Sequence, residues 1–220
     1  MSDIELVSIT PDAEATILYI ARVSSDQSNS DTKLLRYLIR NKHWSPFEMA
    51  HMTVGIRTSR AISQQILRHR SFSFQEFSQR YAEVQTVVFY AGRRQAEKDR
   101  QSSIDDLDKE TQETWLAIQR VAYDSAIAHY RHALSIGIAR EVARFVLPLA
   151  SETQLYMSGS LRSWIHYFEL RCTKHTQLEH REIANSIKEV FIEQLPIISD
   201  ALWGHENQNF THSAGARDAN

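Results

Sequence analysis

Cysteine is almost missing: Cys172 is the only one in 220 residues. No disulfide framework can form within the chain, and a reducing compartment is the natural setting. Glycine is scarce as well, at six residues. None falls into a G-x-G-x-x-G or a P-loop pattern, which removes the Rossmann and Walker-type phosphate cradles from consideration. No apolar run approaches the roughly 20 residues that a spanning helix needs, so no membrane association is expected. The N-terminal stretch carries neither a basic region nor a long apolar one, and no secretory signal is expected. Charge of one sign is not in excess: 25 Lys and Arg face 27 Asp and Glu, for a net charge of −2. No global field draws the chain to nucleic acid or anionic lipid, so any anion must be caught by a local cluster of Arg or Lys. A cytoplasmic protein is the default.

What is present suits a globular domain. Hydrophobic residues make up 42% and charged residues 24%, enough to close a sizeable core. Residues 4–9 alternate weakly and predict a strand ending at Thr10-Pro11; Thr10 or Asp12 then caps a helix through AEATILYIARV. Leu34, Leu35, Leu38 and Ile39 recur at helical spacing in TKLLRYLIRNK. Pro46 interrupts the chain, because the residue before proline is driven out of the helical region. MAHMTVGIRT reads as a strand, and Ser59 as the N-cap of a helix through AISQQILRHR. SFSFQEFSQRYAEV reads as extended chain, VQTVVFYAG as a short strand or turn, and residues 93–113 as a solvated, mobile segment. From Thr114 onward the expectation is nearly all helix: through Gly137, again over AREVARFVLPL, and as a pair from about Ser151 to Leu195. The fold class expected is α+β: one domain over residues 1–204, a mostly antiparallel sheet flanked by helices, a helix-rich C-terminal half, and a flexible tail over 205–220.

The densest polar cluster is Arg68-His69-Arg70, followed after seven residues by Ser78, with Glu76 and Arg80 on either side. Gln65 and Arg68 are spaced to share a helical face; Glu76, Ser78 and Arg80 alternate, so in extended chain they project from one side. Guanidinium forks bind phosphate with paired donors that Lys cannot reproduce. Alternatively, Arg-His-Arg is a solvated helix C-terminus facing the macrodipole. Ser78 suits a substrate-binding hydroxyl; a nucleophilic role needs an oriented base that no sequence feature supplies. Cys172 reads as a small, partly buried hydrophobe, and His43 as a proton carrier or a helix-terminal histidine. His129 and His132 lack a third ligand at metal spacing, and no metal is expected. Phe72, Phe74 and Phe77 suit either a pocket or the core.

The stretch QILRHRSFSFQEFSQRY, with Arg-His-Arg, seven residues and Ser, resembles the signature of the flavin-dependent thymidylate synthases. ARVSS at 21–25, HWSPFE at 43–48, REVARFVLPL at 140–149 and the segment from Ser160 to His175 also resemble that family, in the right order. The resemblance implies methylation of dUMP to dTMP with FAD, NADPH and methylenetetrahydrofolate. It implies dUMP contacts from Gln65, Arg68, Glu76, Ser78, Arg80, Arg144 and Arg171. Around FAD it implies Ser24, His43, Ser45, Glu48, Arg68, Arg70, Ser71, Glu76, Ser160, Arg162, His166, Leu170 and His175. Arg171, Ser78 and His43 are the residues it places nearest the chemistry, and it implies a homotetramer with shared active sites. Gln75, Gln79, Ser160 and His166 depart from the family's usual residues, the last two changing hydrogen bonds to the flavin. Two rival readings are a single-strand nucleic-acid module built on the arginines and aromatics, which the acidic balance disfavours, and a ligand-binding relative without turnover.

Overall fold

A computed structural model of the chain describes residues 3–24 and 31–210, without the side chains of Ser24, Asp31 and residues 205–210. The centre is a four-stranded antiparallel sheet. Strand β1 (Asp3–Ile9) leads to helix α1 (Ala13–Ala21), and α2 (Asp31–Arg40) precedes β2 (His51–Ser59). Helix α3 (Arg60–Ile66) and β3 (Ser73–Glu76) follow, then the short strands β4 (Arg94–Gln95) and β5 (Ser103–Ile104). The long α4 (Lys109–Ser135) and short α5 (Arg140–Ala143) lead to β6 (Glu152–Ser160), α6 (Leu161–Arg171), α7 (Leu178–Gln194) and α8 (Pro196–Phe210). The main sheet runs β1-β2-β6-β3. Among the described residues no helix is long and apolar enough to cross a membrane.

The α+β class is as expected, but the sheet gains its main partner from an unexpected place. Residues 152–160 are a strand, not the start of a helical pair. Thr153, Leu155, Met157 and Gly159 are buried while Gln154, Tyr156 and Ser158 between them are less so, the period of two that marks a half-buried strand. β6 pairs with β2 over its whole length, from His51 opposite Ser160 to Ser59 opposite Glu152. The polar stretch 93–113 is not a loose segment either. β4 and β5 pair, Arg94 forks onto Asp106 at 2.6–3.2 Å, and Arg93 forms a largely buried ion pair with Glu179 at 2.6 Å. Charge pairing here replaces the apolar burial whose lack suggested mobility. Helix α4 starts inside this segment, where the Asp108 side chain accepts from the Thr111 amide at 2.7 Å.

Other boundaries also yield to local physics. α3 stops at Ile66, and the His69 amide bonds back to the Ile66 carbonyl, so Arg-His-Arg sits in a turn. The helix expected over 139–149 is a single turn plus a 3-10 turn at 144–146, because Pro148 holds Leu147 extended. Ser59 is the N-cap of α3, but its hydroxyl makes no cap bond; it accepts from the Tyr90 hydroxyl at 2.7 Å instead. α2 ends with Lys42 at φ 55, the His43 amide bonding to Leu38 O and the Lys42 amide to Ile39 O. That is a Schellman closure with lysine where glycine is usual, and it fixes where His43 leaves the helix.

The core lies between the sheet and the C-terminal helices. Met52, Val54 and Ile56 of β2 and Leu155 and Met157 of β6 are fully buried, with Trp164, Phe168, Ile187 and Phe191 from α6 and α7 closing the same cluster. Trp164 also donates from Nε1 to the Met52 carbonyl at 3.0 Å, locking α6 to the sheet. Gly159 is required by close approach: a Cβ there would lie 2.5 Å from the buried Phe72 ring. Phe72 is itself held edge-on by Trp164. Gly159→Ala therefore overpacks the base of α6 and is expected to destabilise by about 1–3 kcal/mol. Chemical denaturation would measure it, and a Phe72→Leu second substitution should recover part of the loss.

Candidate active site

The sequence-marked residues gather into three groups. The first lies where β6 turns into α6. Ser160 is the N-cap of α6, its Oγ accepting from the Ser163 amide at 3.3 Å and donating to Glu48 Oε2 at 2.5 Å. Arg162 Nη1 donates to the other oxygen of Glu48 at 2.7 Å. The Ser160 hydrogen bond and the Arg162 guanidinium hold the Glu48 carboxyl below its ordinary range, against some burial. Ser163 Oγ donates to the Ser71 carbonyl at 3.3 Å. Beside them a 370 Å³ cavity is lined by Trp44, Ser71, Arg162, Ile165, His166 and Glu169, among others. Arg162, His166 and Glu169 thus share one face of α6 and line one hollow. His43 and Ser45 are exposed on either side of Trp44, with His43 edge-on to Tyr37. Leu170 is exposed, and His175 lies exposed in the turn after α6. The side chain of Ser24 lies outside the described residues.

The second group forms around the turn after α3 and the C-terminal end of α6. Gln65 Nε2 donates to Gln177 Oε1 at 2.6 Å, Gln177 Nε2 donates to Glu179 at 2.9 Å, and Arg93 pins the other Glu179 oxygen. Arg68 and Arg70 are exposed, while His69 between them turns inward. Gln65 and Arg68 do not share a helical face, because the helix ends between them. Arg171 Nε donates to His69 Nε2 at 2.9 Å. His69 lies edge-on to Tyr167, ring centres 4.9 Å apart, and the Tyr167 hydroxyl meets His180 Nε2 at 3.0 Å. Gln177, Glu179, Arg93, Tyr167 and His180 were not singled out in the sequence. Gln177, Glu179 and His180 fall at the start of α7, which reads as an ordinary amphipathic helix, and Arg93 and Tyr167 lie in other segments, so no local signal marks them.

The third group follows β3. Glu76 accepts from Arg60 Nη1 at 2.5 Å and from Thr153 Oγ1 at 3.0 Å. Ser78 and Arg80 do not continue the strand alternation: a turn begins at Ser78, whose carbonyl receives the Tyr81 and Ala82 amides. Ser78 Oγ accepts from the Arg80 amide at 3.4 Å, and no base adjoins it among the described residues. Arg80 reaches Glu141 at 3.2 Å in an exposed pair, and Arg144 lies over the Phe145 ring at 5.6 Å. This group and the first lie at opposite ends of β6. Thr153 and Ser160 are separated by a strand length of roughly 23 Å at 3.3 Å per residue. Within one chain the expected residues do not converge on one point.

Two charge features decide what chemistry is open. Arg68, Arg70, Arg144 and Arg171 have no carboxylate partner among the described residues, whereas Arg60, Arg93, Arg94 and Arg162 do. Burial pushes the Cys172 thiol upward, the opposite of what a nucleophilic thiolate needs. Among the described residues no cluster of three His, Cys, Asp or Glu could hold a metal.

Comparison with known proteins settles the family. The family model described as thymidylate synthase complementing protein matches residues 5–197. A flavin-dependent thymidylate synthase from Synechocystis is 51% identical over 191 residues, covering 86% of this chain and 89% of the relative. The chain belongs to the flavin-dependent thymidylate synthase family. A probable member from Paramecium bursaria Chlorella virus 1 is 49% identical over 195 residues, covering 86% of this chain and 90% of the relative. Among solved structures, a UMP/dUMP methylase from Streptomyces cacaoi bound with 5-Br UMP superposes with a TM-score of 0.84 at 28% identity. It covers 93% of this chain and 95% of the other. The same enzyme with 5-Br dUMP gives 0.83. The antiparallel sheet with helical C-terminal half is thus this family's fold.

Burial pushes His180 down to about 3, and Arg171 and His69 add to it. Burial and then Arg171 push His69 down to about 4. Both stay neutral in the fold while the unfolded chain protonates near 6.5, so stability falls as pH drops from about 6.5 towards 4. His180→Leu alone strands the buried Tyr167 hydroxyl, for about 1–3 kcal/mol. Tyr167→Phe with His180→Leu should recover that loss and flatten the acid side by up to about 1.4 kcal/mol per pH unit. Denaturation midpoints between pH 4.5 and 7 test this; an unchanged slope would count against it.

Proposed function

We propose that the chain methylates dUMP to dTMP, taking the carbon from methylenetetrahydrofolate and reducing power from NADPH through FAD. The observation that carries this reading is Arg171. Its Nε is engaged by His69, which leaves both terminal nitrogens without a carboxylate partner, beside the exposed Arg68 and Arg70. A guanidinium fixed in that way suits a nucleotide phosphate or an anionic uracil edge. Burial pushes the Cys172 thiol upward, which disfavours it as the nucleophile on uracil, and the reading assigns the activation elsewhere. Bound FAD supplies the hydride that completes the methyl group.

The donor set fits that cofactor. Arg68, Arg70 and the Glu48-tethered Arg162 offer cations to a diphosphate. Trp44 and Ile165 offer an apolar wall with Ser71 and His166 beside it, and the exposed His43 and Ser45 flank Trp44 along the chain. Ser24, Leu170 and His175 complete the assigned flavin contacts. Ser160 is already committed to Glu48 and Ser163, so on this reading it acts on the flavin through Arg162. dUMP is assigned to Gln65, Arg68 and Arg171 with Glu76, Ser78, Arg80 and Arg144. Because Glu76 is bound to Arg60 and Thr153, its part is to hold the chain that presents Ser78 and Arg80.

The flavin-side group of Glu48, Ser160 and Arg162 and the nucleotide-side group of Ser78 and Arg80 lie at opposite ends of β6, which supports a homotetramer in which a second copy contributes one of them to a shared site. The surface of α4 supports it too. Of its 27 residues only Gln119 and Tyr130 are buried, while Ile118 is 56% and Val121 72% exposed; in the segment after α5, Phe145 and Leu149 are 79% and 72% exposed. Exposed apolar side chains of this size suit an interface with another copy. The cytosol, a reducing compartment, suits the lone thiol.

A visible flavin spectrum perturbed by dUMP, with dTMP formed on adding NADPH and methylenetetrahydrofolate, is the expected result. A protein that takes up no FAD would overturn the reading. Arg171→Ala should weaken dUMP binding about ten- to hundredfold, the worth of a charge-assisted bond, while retaining FAD. For the shared site, Arg171→Ala and Arg80→Ala subunits, each inactive alone, should regain turnover when mixed and reassembled. Mixed tetramers without any recovered turnover would mean that one chain holds both groups.

A further inference from the structure

The middle residue of Arg68-His69-Arg70 has no assigned ligand, and its two neighbours point outward while it points in. We propose that His69 is a positioning residue: its imidazole Nε2 accepts the Nε–H of Arg171 and thereby aims the Arg171 guanidinium at the nucleotide. The inference rests on Arg171 being a dUMP-binding residue.

Three observations carry it. Arg has donors and no acceptor, so the 2.9 Å contact requires a lone pair on His69 Nε2 and places the ring proton on Nδ1. A protonated ring would turn a donor towards a cation. The fold holds the ring neutral, since burial and the adjacent Arg171 both oppose its protonation. The ring cannot swing away, because Tyr167 lies edge-on at 4.9 Å and Phe72 edge-on at 6.4 Å. Tyr167 is fully buried and tied to His180 of α7. The turn backbone is fixed as well, by the His69 amide on Ile66 and the Phe72 amide on the His69 carbonyl.

Geometry then sets a division of labour. Arg171 stands at the last turn of α6, on a side chain with several rotatable bonds and no carboxylate partner among the described residues. A carboxylate in place of His69 would fix the fork equally well but would cancel its charge. A neutral imidazole fixes Nε and leaves the full positive charge, with both terminal nitrogens, to the ligand. Arg68 and Arg70, one residue away on either side, remain exposed to take their own anionic contacts.

The test is a thermodynamic cycle on dUMP affinity, read by flavin absorbance in the FAD-loaded protein. His69→Phe keeps the aromatic edge contacts and removes the acceptor; His69→Gln offers an amide oxygen near the Nε2 position. The expected result is dUMP binding about tenfold weaker for His69→Phe and near the original for His69→Gln, with melting temperature and FAD content unchanged in both. In an Arg171→Ala background, His69→Phe should have no further effect on dUMP. Equal loss for Phe and Gln, or an undiminished His69→Phe effect without Arg171, would overturn the proposal. Should His69→Phe not fold, His69→Asn, polar but too short to reach the Nε2 position, takes its place in the same cycle. The parent reading fails differently: there Arg171→Ala itself leaves dUMP affinity unchanged.

Discussion

The nine-residue antiparallel pairing of β2 with β6 is the constraint on which the rest depends. It sets Ser160 opposite His51 at one end and Glu152 opposite Ser59 at the other, so each end of one ladder launches a different part of the site. At the first end the chain enters α6 through the Ser160 cap, and Glu48 gathers Ser160 and Arg162 there. At the second end Thr153 and Arg60 together seize Glu76, which ends β3 and starts the turn that carries Ser78 and Arg80. A one-residue slip would turn Leu155 and Met157 to the wrong face and bring polar neighbours into the core. The buried set of β2 and β6 therefore enforces the register, and the register enforces the site.

Helix α6 transmits that constraint along its length. Its buried stripe, Leu161, Trp164, Ile165 and Phe168, has the i, i+3, i+4, i+7 spacing that seats a helix on a core. Arg162, His166 and Glu169 consequently face the hollow beside Trp44. Arg171 ends the helix next to the Arg-His-Arg turn. One rigid element thus holds flavin-side and nucleotide-side residues of the proposed site in fixed relation, which loops could not do as well.

Much of this was legible in the sequence, and what was missed has a pattern. Residues whose chemistry is unusual for their surroundings, the Arg-His-Arg run above all, stood out by type and spacing, as did the apolar spacing of α2. β6 was missed because only Leu155 and Met157 of its buried face are large and apolar, Thr153 and Gly159 completing that face with little hydrophobic signal. The structured part of 93–113 was missed for a different reason: Arg93 is anchored by Glu179, 86 residues away, and a partner that distant is invisible to a local window. The expected alternation of Glu76, Ser78 and Arg80 failed because a turn at Ser78 overrides strand continuation. The inward turn of His69 depends on Arg171, 102 residues away, and no local rule contains it.

The distribution of paired and unpaired arginines connects the weak overall charge to anion binding. With a net charge of −2 the molecule exerts little long-range attraction, so selectivity must rest on a few guanidiniums that no carboxylate neutralises. Arg60 and Arg93 are spent on the half-buried to buried carboxylates Glu76 and Glu179, where a lost partner would leave an uncompensated charge. Those pairs shape the walls. Arg171 is treated differently: it is tethered by a neutral group, which costs it no charge. Arg144 is likewise held by an aromatic face and not by an acid. The fold thus braces Arg60 and Arg93 with half-buried to buried carboxylates and Arg144 and Arg171 with neutral rings, while Arg80 and Arg162 keep exposed carboxylate partners with which a ligand competes. On the proposed reading Arg144 and Arg171, with Arg80, are brought together from two copies of the chain to meet dUMP.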